Sequence, residues 1–378
     1  MEKLGVGIIG CGNISEAYLR LAPLFAGIEL RAVADINPDA ARARADQFGV
    51  RAETVEGLLA ADDVQIVVNL TIPAAHCEVS TAVLESGKHV YSEKPFVLSR
   101  DEGLALQKLA DDKGLRVGSA PDTFLGGAHQ AARAALDSGQ IGKVVAGTAH
   151  VMSRGMEHWH PNPDFFFQPG AGPVLDIGPY YITNLVQLIG PVARVSALSS
   201  SAFAERTILS EPRKGEKIPV STPTNIHALL EFHSGATVTL SASWDVMAHR
   251  HGPMELYGTE GTLYVPDPNF FGGTVELARS GDDVVALDAG DHPFAKVNDR
   301  DHANYRAAGL ADMAQAIRNG RRHRCSLELA LHVVDVMTSI LRAGETRQSV
   351  EIETRCQRPD ALDAAAATAL LATAPEVA

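Results

Sequence analysis

The sequence predicts two joined folds: a doubly wound α/β domain on a parallel sheet, then an α+β domain on a large, mainly antiparallel sheet. Three observations carry this. Across the first third of the chain, short apolar runs alternate with helical segments. A Gly10-x-Gly12 turn stands between the first apolar run and the first helix. Past about residue 122 the apolar runs lengthen and take a two-residue period.

Residues 5–15 read Gly-Val-Gly-Ile-Ile-Gly-Cys-Gly-Asn-Ile-Ser, an apolar strand running through a glycine turn into a helix. Gly10 permits the tight turn, and Gly12 lets the backbone approach a pyrophosphate seated on the positive end of that helix. Twenty residues beyond Ser15 the strand Leu30–Ala34 ends in Asp35. Its carboxylate would accept hydrogen bonds from ribose hydroxyls and repel a 2′-phosphate, so NAD is expected rather than NADP. Ser15 replaces the third glycine of the fingerprint, a small departure that weakens the motif without cancelling it.

A helix over Pro38–Phe48 follows, with Asn37 as its cap. Val64–Leu70 reads as a buried parallel strand, then a helix runs from about Ala75 to Ser86. The strand His89–Ser92 leads into Glu93-Lys94-Pro95. Ser99 and Glu102 form a capping box for the next helix, and Arg116–Ser119 is the last strand of this half. In the second half, Lys143–Val151, Asn225–Phe232 and Ala236–Trp244 are longer strands. The last puts Ala236, Val238, Leu240, Ala242 and Trp244 on one face. Thr237, Thr239, Ser241 and Ser243 take the other, which is either solvated or set against a second subunit. Turns at His233–Gly235 and Gly258–Gly261 predict hairpins, the second joining Met254–Tyr257 to Thr262–Val265. Two late helices carry Leu310, Met313, Ala314 and Ile317, and Leu327 to Leu341. An Ala-rich tail after about Pro359 predicts a short helix.

A chain of 378 residues is long enough for two cored domains, here 1–121 and 122–378. A formal net charge of −13 argues against a nucleic-acid backbone as partner. No apolar stretch approaches a membrane span, and the first strand begins too early for a signal segment. Cys11, Cys77, Cys325 and Cys356 have neither metal-type spacing nor disulfide density, which fits a reducing cytoplasm.

Three features could carry chemistry. Glu93-Lys94-Pro95 ends a parallel strand, where open α/β sheets place ligands, and Pro95 keeps Lys94 extended. Lys94 is then either aimed into the crevice or a solvated surface lysine. The run Gly170 to Ile189, read as one helix, sets Ile177, Tyr181, Leu185 and Leu188 on an apolar face. Asp176, Tyr180, Thr183, Asn184 and Gln187 line the opposite face, which suits an active-site wall or a wet helix surface. Pro179 leaves the helix start open: from Pro179 onward Asp176 falls outside, and from Pro173 onward Pro179 kinks the first turns. Finally, Glu157-His158-Trp159-His160-Pro161 sits in a proline-stiffened segment before three phenylalanines. It reads as a loop for a polyhydroxylated ring or as an ordinary ordered loop; His158 and His160 lack a third ligand at a telling spacing for a metal.

These motifs together resemble the Gfo/Idh/MocA oxidoreductases, the glucose–fructose oxidoreductase and inositol dehydrogenase superfamily. The likeness rests on Gly10-Cys11-Gly12-Asn13-Ile14, Asp35, Thr71-Ile72-Pro73-Ala74-Ala75-His76, Glu93-Lys94-Pro95, Ile141-Gly142 and Asp176-Ile177-Gly178. It implies a Rossmann domain followed by a substrate-binding domain whose open sheet mediates a homodimer or homotetramer. Gly10, Gly12, Asn13, Ile14, Asp35, Thr71, Pro73, His76, Glu93 and Lys94 would then bind NAD. Lys94, Tyr180 and Asp176 would be catalytic, with Asp122, His158, Trp159 and His160 at the substrate.

Many relatives carry histidine four residues after the aspartate; here that position is Tyr180, as in the branch that includes glucose–fructose oxidoreductase. A nearby Lys94 ammonium would lower the phenol pKa toward working pH. The segment Pro121-Asp122-Thr123-Phe124 also departs from the common pattern. The expected activity is NAD-dependent interconversion of a secondary or anomeric alcohol and its carbonyl on a sugar, cyclitol or polyol. The alternatives are a glycosidase using bound NAD transiently, and an NAD-responsive regulator. Retention of Glu93-Lys94-Pro95 and Tyr180 argues against the regulator, which has no use for an acid/base pair.

Overall fold

In the computed structural model, which describes residues 3–372, the N-terminal half holds a six-stranded parallel sheet. Its strands are β1 (Leu4–Ile9), β2 (Ile28–Ala34), β3 (Arg51–Glu53), β4 (Ile66–Asn69), β5 (His89–Ser92) and β6 (Val117–Ser119), in the order β3-β2-β1-β4-β5-β6. The helices α1 (Asn13–Leu21), α2 (Pro38–Phe48), α3 (Val55–Ala60), α4 (His76–Glu85) and α5 (Arg100–Lys113) connect them. The order reverses beside β1, and there the crevice opens at the carboxyl ends of β1 and β4. β4 is shorter than the apolar run suggests.

Local chemistry sets the helix ends. The Asn37 side chain accepts the Asp39 N–H at 3.0 Å, and Ser99 and Glu102 form the expected reciprocal cap. Gly49 and Gly114 close α2 and α5 in the left-handed conformation.

The second half begins with α6 (Gly127–Asp137), β7 (Val144–Met152), α7 (Pro173–Asp176), α8 (Gly178–Ile189) and β8 (Val192–Ser200). A small β9 (Glu205–Thr207)–β10 (Lys217–Pro219) hairpin precedes β11 (Asn225–Phe232) and β12 (Thr237–Ser243). Then come β13 (Met254–Gly258), β14 (Gly261–Val265), β15 (Val275–Arg279), β16 (Val285–Leu287), α9 (Ala308–Asn319), α10 (Leu327–Thr346), β17 (Val350–Glu351) and α11 (Ala364–Thr368). Nine strands form one sheet in the order β16-β15-β14-β13-β7-β12-β11-β8-β17. It is mixed, because β12 pairs parallel with β7. α8 and α10 pack against one face of it.

The hydroxyl face of β12 is only half as expected. Thr237 and Thr239 are exposed, but Ser241 and Ser243 are buried. His227 covers Ser241 at 3.1 Å, and the Ser243 hydroxyl accepts the Asp245 N–H at 3.1 Å. The Ala-rich tail forms α11 and returns to the first domain, where Ala26 N–H donates to the Leu370 carbonyl at 2.9 Å. Residues 373–378 of that tail lie outside the described residues.

Candidate active site

The glycine turn has the shape a dinucleotide needs. Gly10 has φ +104, and a Cβ there would strike the Leu70 carbonyl at 2.5 Å. A Cβ on Gly12 would meet nothing within 4 Å, so the space above it is open. No side chain caps α1 at Gly12, which leaves the Asn13 and Ile14 N–H groups free for an anion. Ser15 is fully buried and its hydroxyl donates to the Gly12 carbonyl at 2.6 Å, so serine fits where glycine is usual. Asp35 accepts the Cys11 N–H at 2.7 Å and the Asn37 N–H at 2.8 Å, which fixes its carboxylate beside the turn. Ile36 and Ile72, in the turns after β2 and β4, are 97% and 69% exposed. Apolar side chains so open at a crevice suit the faces of a flat base. The residues present therefore fit a dinucleotide.

Across the crevice, Thr71 donates to Asn69 Oδ1 at 2.7 Å and Pro73 opens a short 3-10 turn into α4. His76 is buried beneath that turn, with the Pro95 carbonyl 2.7 Å from Nδ1 and the Thr71 carbonyl 3.0 Å from Nε2. A neutral imidazole has one N–H and can donate to only one of them. Burial lowers its pKa despite both carbonyls. His76 thus braces the Lys94-Pro95 turn from behind instead of lining the open crevice.

Lys94, at the carboxyl end of β5, points inward. Its Nζ donates at 2.8 Å to both Asp176 Oδ1 and the Asp176 carbonyl, and lies 5.4 Å from the centroid of the Tyr180 ring. Burial alone would lower the ammonium pKa, but Asp176, the Tyr180 phenol and Glu93 hold it above its usual value. Asp176 and Tyr180 do not share one helix. The chain breaks at Ile177 between α7 and α8, with Pro179 in the first turn of α8. Both residues still reach Lys94, because Asp176 closes α7 and Tyr180 opens α8.

The rest of the predicted polar stripe does something else. Thr183, Asn184 and Gln187 are buried, and Gln187 donates to Asn184 Oδ1 at 3.0 Å beside His129. α8 is neither a wet face nor a continuous active-site wall. Tyr181 is buried, and burial with Asp267 nearby raises its phenol pKa.

Glu93 lies just below. Oε1 accepts the Tyr18 hydroxyl and the Arg306 NH1, both at 3.1 Å, and Oε2 accepts the Lys94 N–H at 2.9 Å. Neither Tyr18 nor Arg306 was foreseeable from a motif. Arg306 comes from 213 residues away, just before α9, and Tyr18 reads as an apolar position of α1.

Asp122, expected at the substrate, is only 1% exposed. One carboxylate oxygen accepts the Gly309 N–H at 3.1 Å. Burial pushes its pKa up to about 6, against the pull of Arg306. It lies under the site instead of on its wall. His158, Trp159 and His160 occupy the loop after β7, docked on the β9–β10 hairpin. Ser210 donates to the His160 carbonyl at 2.6 Å, Trp159 is 57% exposed, and His158 Nδ1 is buried without a partner. Among the described residues no hydrogen bond joins this loop to the Lys94 cluster, and no group of three His, Cys, Asp or Glu side chains is set to hold a metal.

Comparison with known proteins agrees with this architecture. Residues 4–120 match the oxidoreductase family with an NAD-binding Rossmann fold, and residues 129–264 match the GFO/IDH/MocA C-terminal domain. Levoglucosan dehydrogenase of Pseudarthrobacter phenanthrenivorans is 27% identical over 70% of this chain and 73% of its own. D-xylose 1-dehydrogenase (NADP(+)) 2 of Haloferax volcanii is 24% identical over 92% of this chain and 99% of its own. The solved apo structure of levoglucosan dehydrogenase superposes with a TM-score of 0.80 at 22% identity, covering 94% of this chain and 100% of that one. At that identity the superposition speaks for the fold. The two family matches, with the glycine turn, Glu93-Lys94-Pro95 and Asp176 in one crevice, place this chain in the Gfo/Idh/MocA family of NAD(P)-dependent oxidoreductases.

Proposed function

We propose that the protein oxidises a secondary or anomeric alcohol of a neutral sugar, cyclitol or related polyol with NAD, or runs the reverse reduction. One observation carries this reading: the Lys94 ammonium, pinned by Asp176, lies against the Tyr180 ring at the carboxyl edge of the parallel sheet. Bound NAD would supply the hydride acceptor. Tyr180 accepts the hydroxyl proton, Lys94 assists that transfer, and Asp176 holds Lys94 and orients the substrate hydroxyl. Gly10, Gly12, Asn13, Ile14, Asp35, Thr71, Pro73 and Glu93 bind or frame the cofactor, with residues 1–121 as its domain and 122–378 as the substrate domain. His158, Trp159 and His160 offer a polar and aromatic lip for a sugar ring.

The charge balance favours a neutral substrate. Lys94 is paired with Asp176 and Arg306 with Glu93, so among the described residues neither cation of this cluster is left over for a carboxylate. NAD is preferred over NADP because Asp35 would face a 2′-phosphate. The outer face of the nine-stranded sheet, with Leu198 and Leu229 exposed, is the proposed contact of a homodimer or homotetramer. Reduced thiols at all four cysteines suit a cytoplasmic setting. Among the described residues no helix is long and apolar enough to cross a membrane.

The test is a panel of sugars, anhydrosugars, inositols and glycosides with NAD and with NADP, read by NADH absorbance and by product analysis. Net NADH formation from a polyol supports the reading. Sugar release from a glycoside without NADH accumulation would replace it with a transient-redox glycosidase.

A further inference from the structure

Trp159 and Phe165 are exposed aromatic rings on a loop that has a small core of its own. We propose that they form a second sugar subsite, so that the substrate is a glycoside or oligosaccharide. One ring lies at Lys94 and Tyr180, and its neighbour stacks on this shelf. The proposal rests on the reading of the Lys94 cluster as the place of alcohol oxidation, and it names the substrate class of that site.

The rings form a continuous row from solvent to core. Trp159 is 57% exposed and Phe165 53%. His160 stands edge-on to both, 5.3 Å from the Trp159 centroid and 5.6 Å from that of Phe165. Phe165 lies on Phe166 with centroids 4.0 Å apart, and Phe166 meets the buried Trp244 edge-on at 5.9 Å. Adjoining apolar faces left open on an anchored loop mark a place for a ligand, and flat rings suit the C–H faces of a sugar. A polar group accompanies them. His160 Nδ1 accepts the Asn162 N–H at 3.1 Å, so the neutral imidazole carries its proton on Nε2. That nitrogen has no partner among the described residues and can donate to a hydroxyl.

The shelf is held in advance of any ligand. Phe167, Ile208, Ile218 and Trp244 form a buried cluster separate from the main core. Arg206 binds Glu157 at 2.7 Å and also Asp245, and Arg213 holds Asp164, the residue before Phe165, at 3.1 Å. These contacts fix the loop that carries the rings.

The shelf also adjoins the crevice. The Phe166 carbonyl accepts the Gly172 N–H at 3.1 Å, and the Gly172 carbonyl accepts the Asp176 N–H at 3.0 Å. Two main-chain bonds thus lead from the aromatic row to the residue that pins Lys94. A Cβ on Gly170 would lie 3.6 Å from Leu98, on the arm that follows Lys94-Pro95. Shelf and Lys94 cluster are therefore neighbours, and among the described residues they share no side-chain hydrogen bond. That arrangement fits two adjoining rings, one at each place.

The experiment is calorimetric titration of the full-length, NADH-saturated protein, in which the alcohol cannot be oxidised, with turnover read separately from NAD. The probes are glucose, galactose and xylose, their methyl glycosides, and maltose, cellobiose, lactose and xylobiose. At least one disaccharide is expected to bind about tenfold or more tightly than its monosaccharide. Trp159→Ala and Phe165→Ala should each close most of that gap, and Trp159→Phe, which keeps a flat ring, should retain most of it. Circular dichroism checks folding; if Trp159→Ala does not fold, Phe165→Ala against Trp159→Phe gives the same comparison. Disaccharides that bind no better than monosaccharides overturn the proposal. So does a folded Trp159→Ala protein that weakens both alike or neither. Loss of an oligomer in Trp159→Ala, seen by light scattering with sugar affinities unmoved, would assign the rings to a subunit contact and overturn it too. Failure of the underlying reading is separate: it would show as no NADH from any probe, while the calorimetry still decides the subsite.

Discussion

The Lys94 ammonium donates at 2.8 Å to both the carboxylate and the main-chain carbonyl of Asp176, a residue 82 positions further along the chain. The pair joins the carboxyl end of β5 in the first domain to the last residue of α7 in the second. Lys94 and Asp176 keep 18% and 19% side-chain exposure, so the contact is reachable from the crevice while largely shielded from bulk water. A lysine free in solvent would sample many rotamers; this one is held in a single direction by two acceptors.

Lys94→Ala should lower kcat by roughly a hundredfold to ten-thousandfold, the range expected for removing a group that assists proton transfer. NAD affinity, measured by calorimetry, should stay within about threefold of wild type, because the proposed pyrophosphate and ribose contacts lie on α1, Asp35 and the turn after β4. Near-full turnover with the best substrate would remove Lys94 from the mechanism.

Much of this arrangement is legible in the sequence because it is local. The Gly10 turn, the Asn37 and Ser99 caps and the hairpin at His233–Gly235 are each written within a few residues, and the structure forms them where spacing places them. Lys94 Nζ, from one motif, comes within 5.4 Å of the Tyr180 ring centroid, from another. What was not legible is contact across the chain. Arg306 and Tyr18 converge on Glu93 through topology alone. Periodicity also misread α8: its polar residues bond to one another in a buried layer beside His129, so a stripe that looks wet is dry. Asp122, placed at the substrate by the resemblance, is covered by the start of α9.

Acid should destabilise the fold through buried neutral histidines. Burial depresses the pKa of His129 and His332 to about 4, from 6.5. Between those values the unfolded chain binds protons that the folded chain refuses, so stability falls as pH drops from about 6.5 toward 4. Asp122 runs the other way: its folded pKa of about 6 lies above its unfolded value, so it adds stability on acidification below 6. Two histidines outweigh one aspartate, and the melting temperature should decline across this window. In His332→Gln the slope of melting temperature against pH between 6.5 and 4 should become shallower. An unchanged slope would rule out His332 as a source.

Removing the Arg206 guanidinium should unseat the loop bearing His158, Trp159 and His160. Arg206 pairs with Glu157 at 2.7 Å and with Asp245, and also donates to the Trp244 carbonyl at 3.0 Å, all nearly shut off from solvent. Arg206→Ala would leave two carboxylates buried without their cation, which costs on the order of 3–5 kcal/mol. Trp244 packs edge-on against Phe167 at 5.6 Å, so its fluorescence reports on this cluster. In a Trp159→Phe background, Arg206→Ala should shift the Trp244 unfolding midpoint to clearly lower urea. Unfolding that coincides with the Trp159→Phe parent would show that the pair contributes little.

Asp35→Ser should narrow the preference for NAD over NADP. The Asp35 carboxylate cannot swing away from an incoming 2′-phosphate, because the Cys11 and Asn37 N–H groups hold it from two sides at 2.7 and 2.8 Å. Serine removes the negative charge. Arg44 stands close enough to act electrostatically on Cys11, and is held by Glu16 at 3.1 Å and Gln47 at 2.8 Å. With Asp35 neutralised, that guanidinium is a candidate to turn toward a phosphate. The ratio of kcat/KM for NAD to that for NADP should fall about tenfold, a change of about 1.4 kcal/mol. The change should come chiefly from a lower KM for NADP. A ratio that stays at the wild-type value would mean that cofactor choice is made elsewhere in the crevice, and adding Arg44→Ala to Asp35→Ser should reverse the gain if Arg44 is the group recruited.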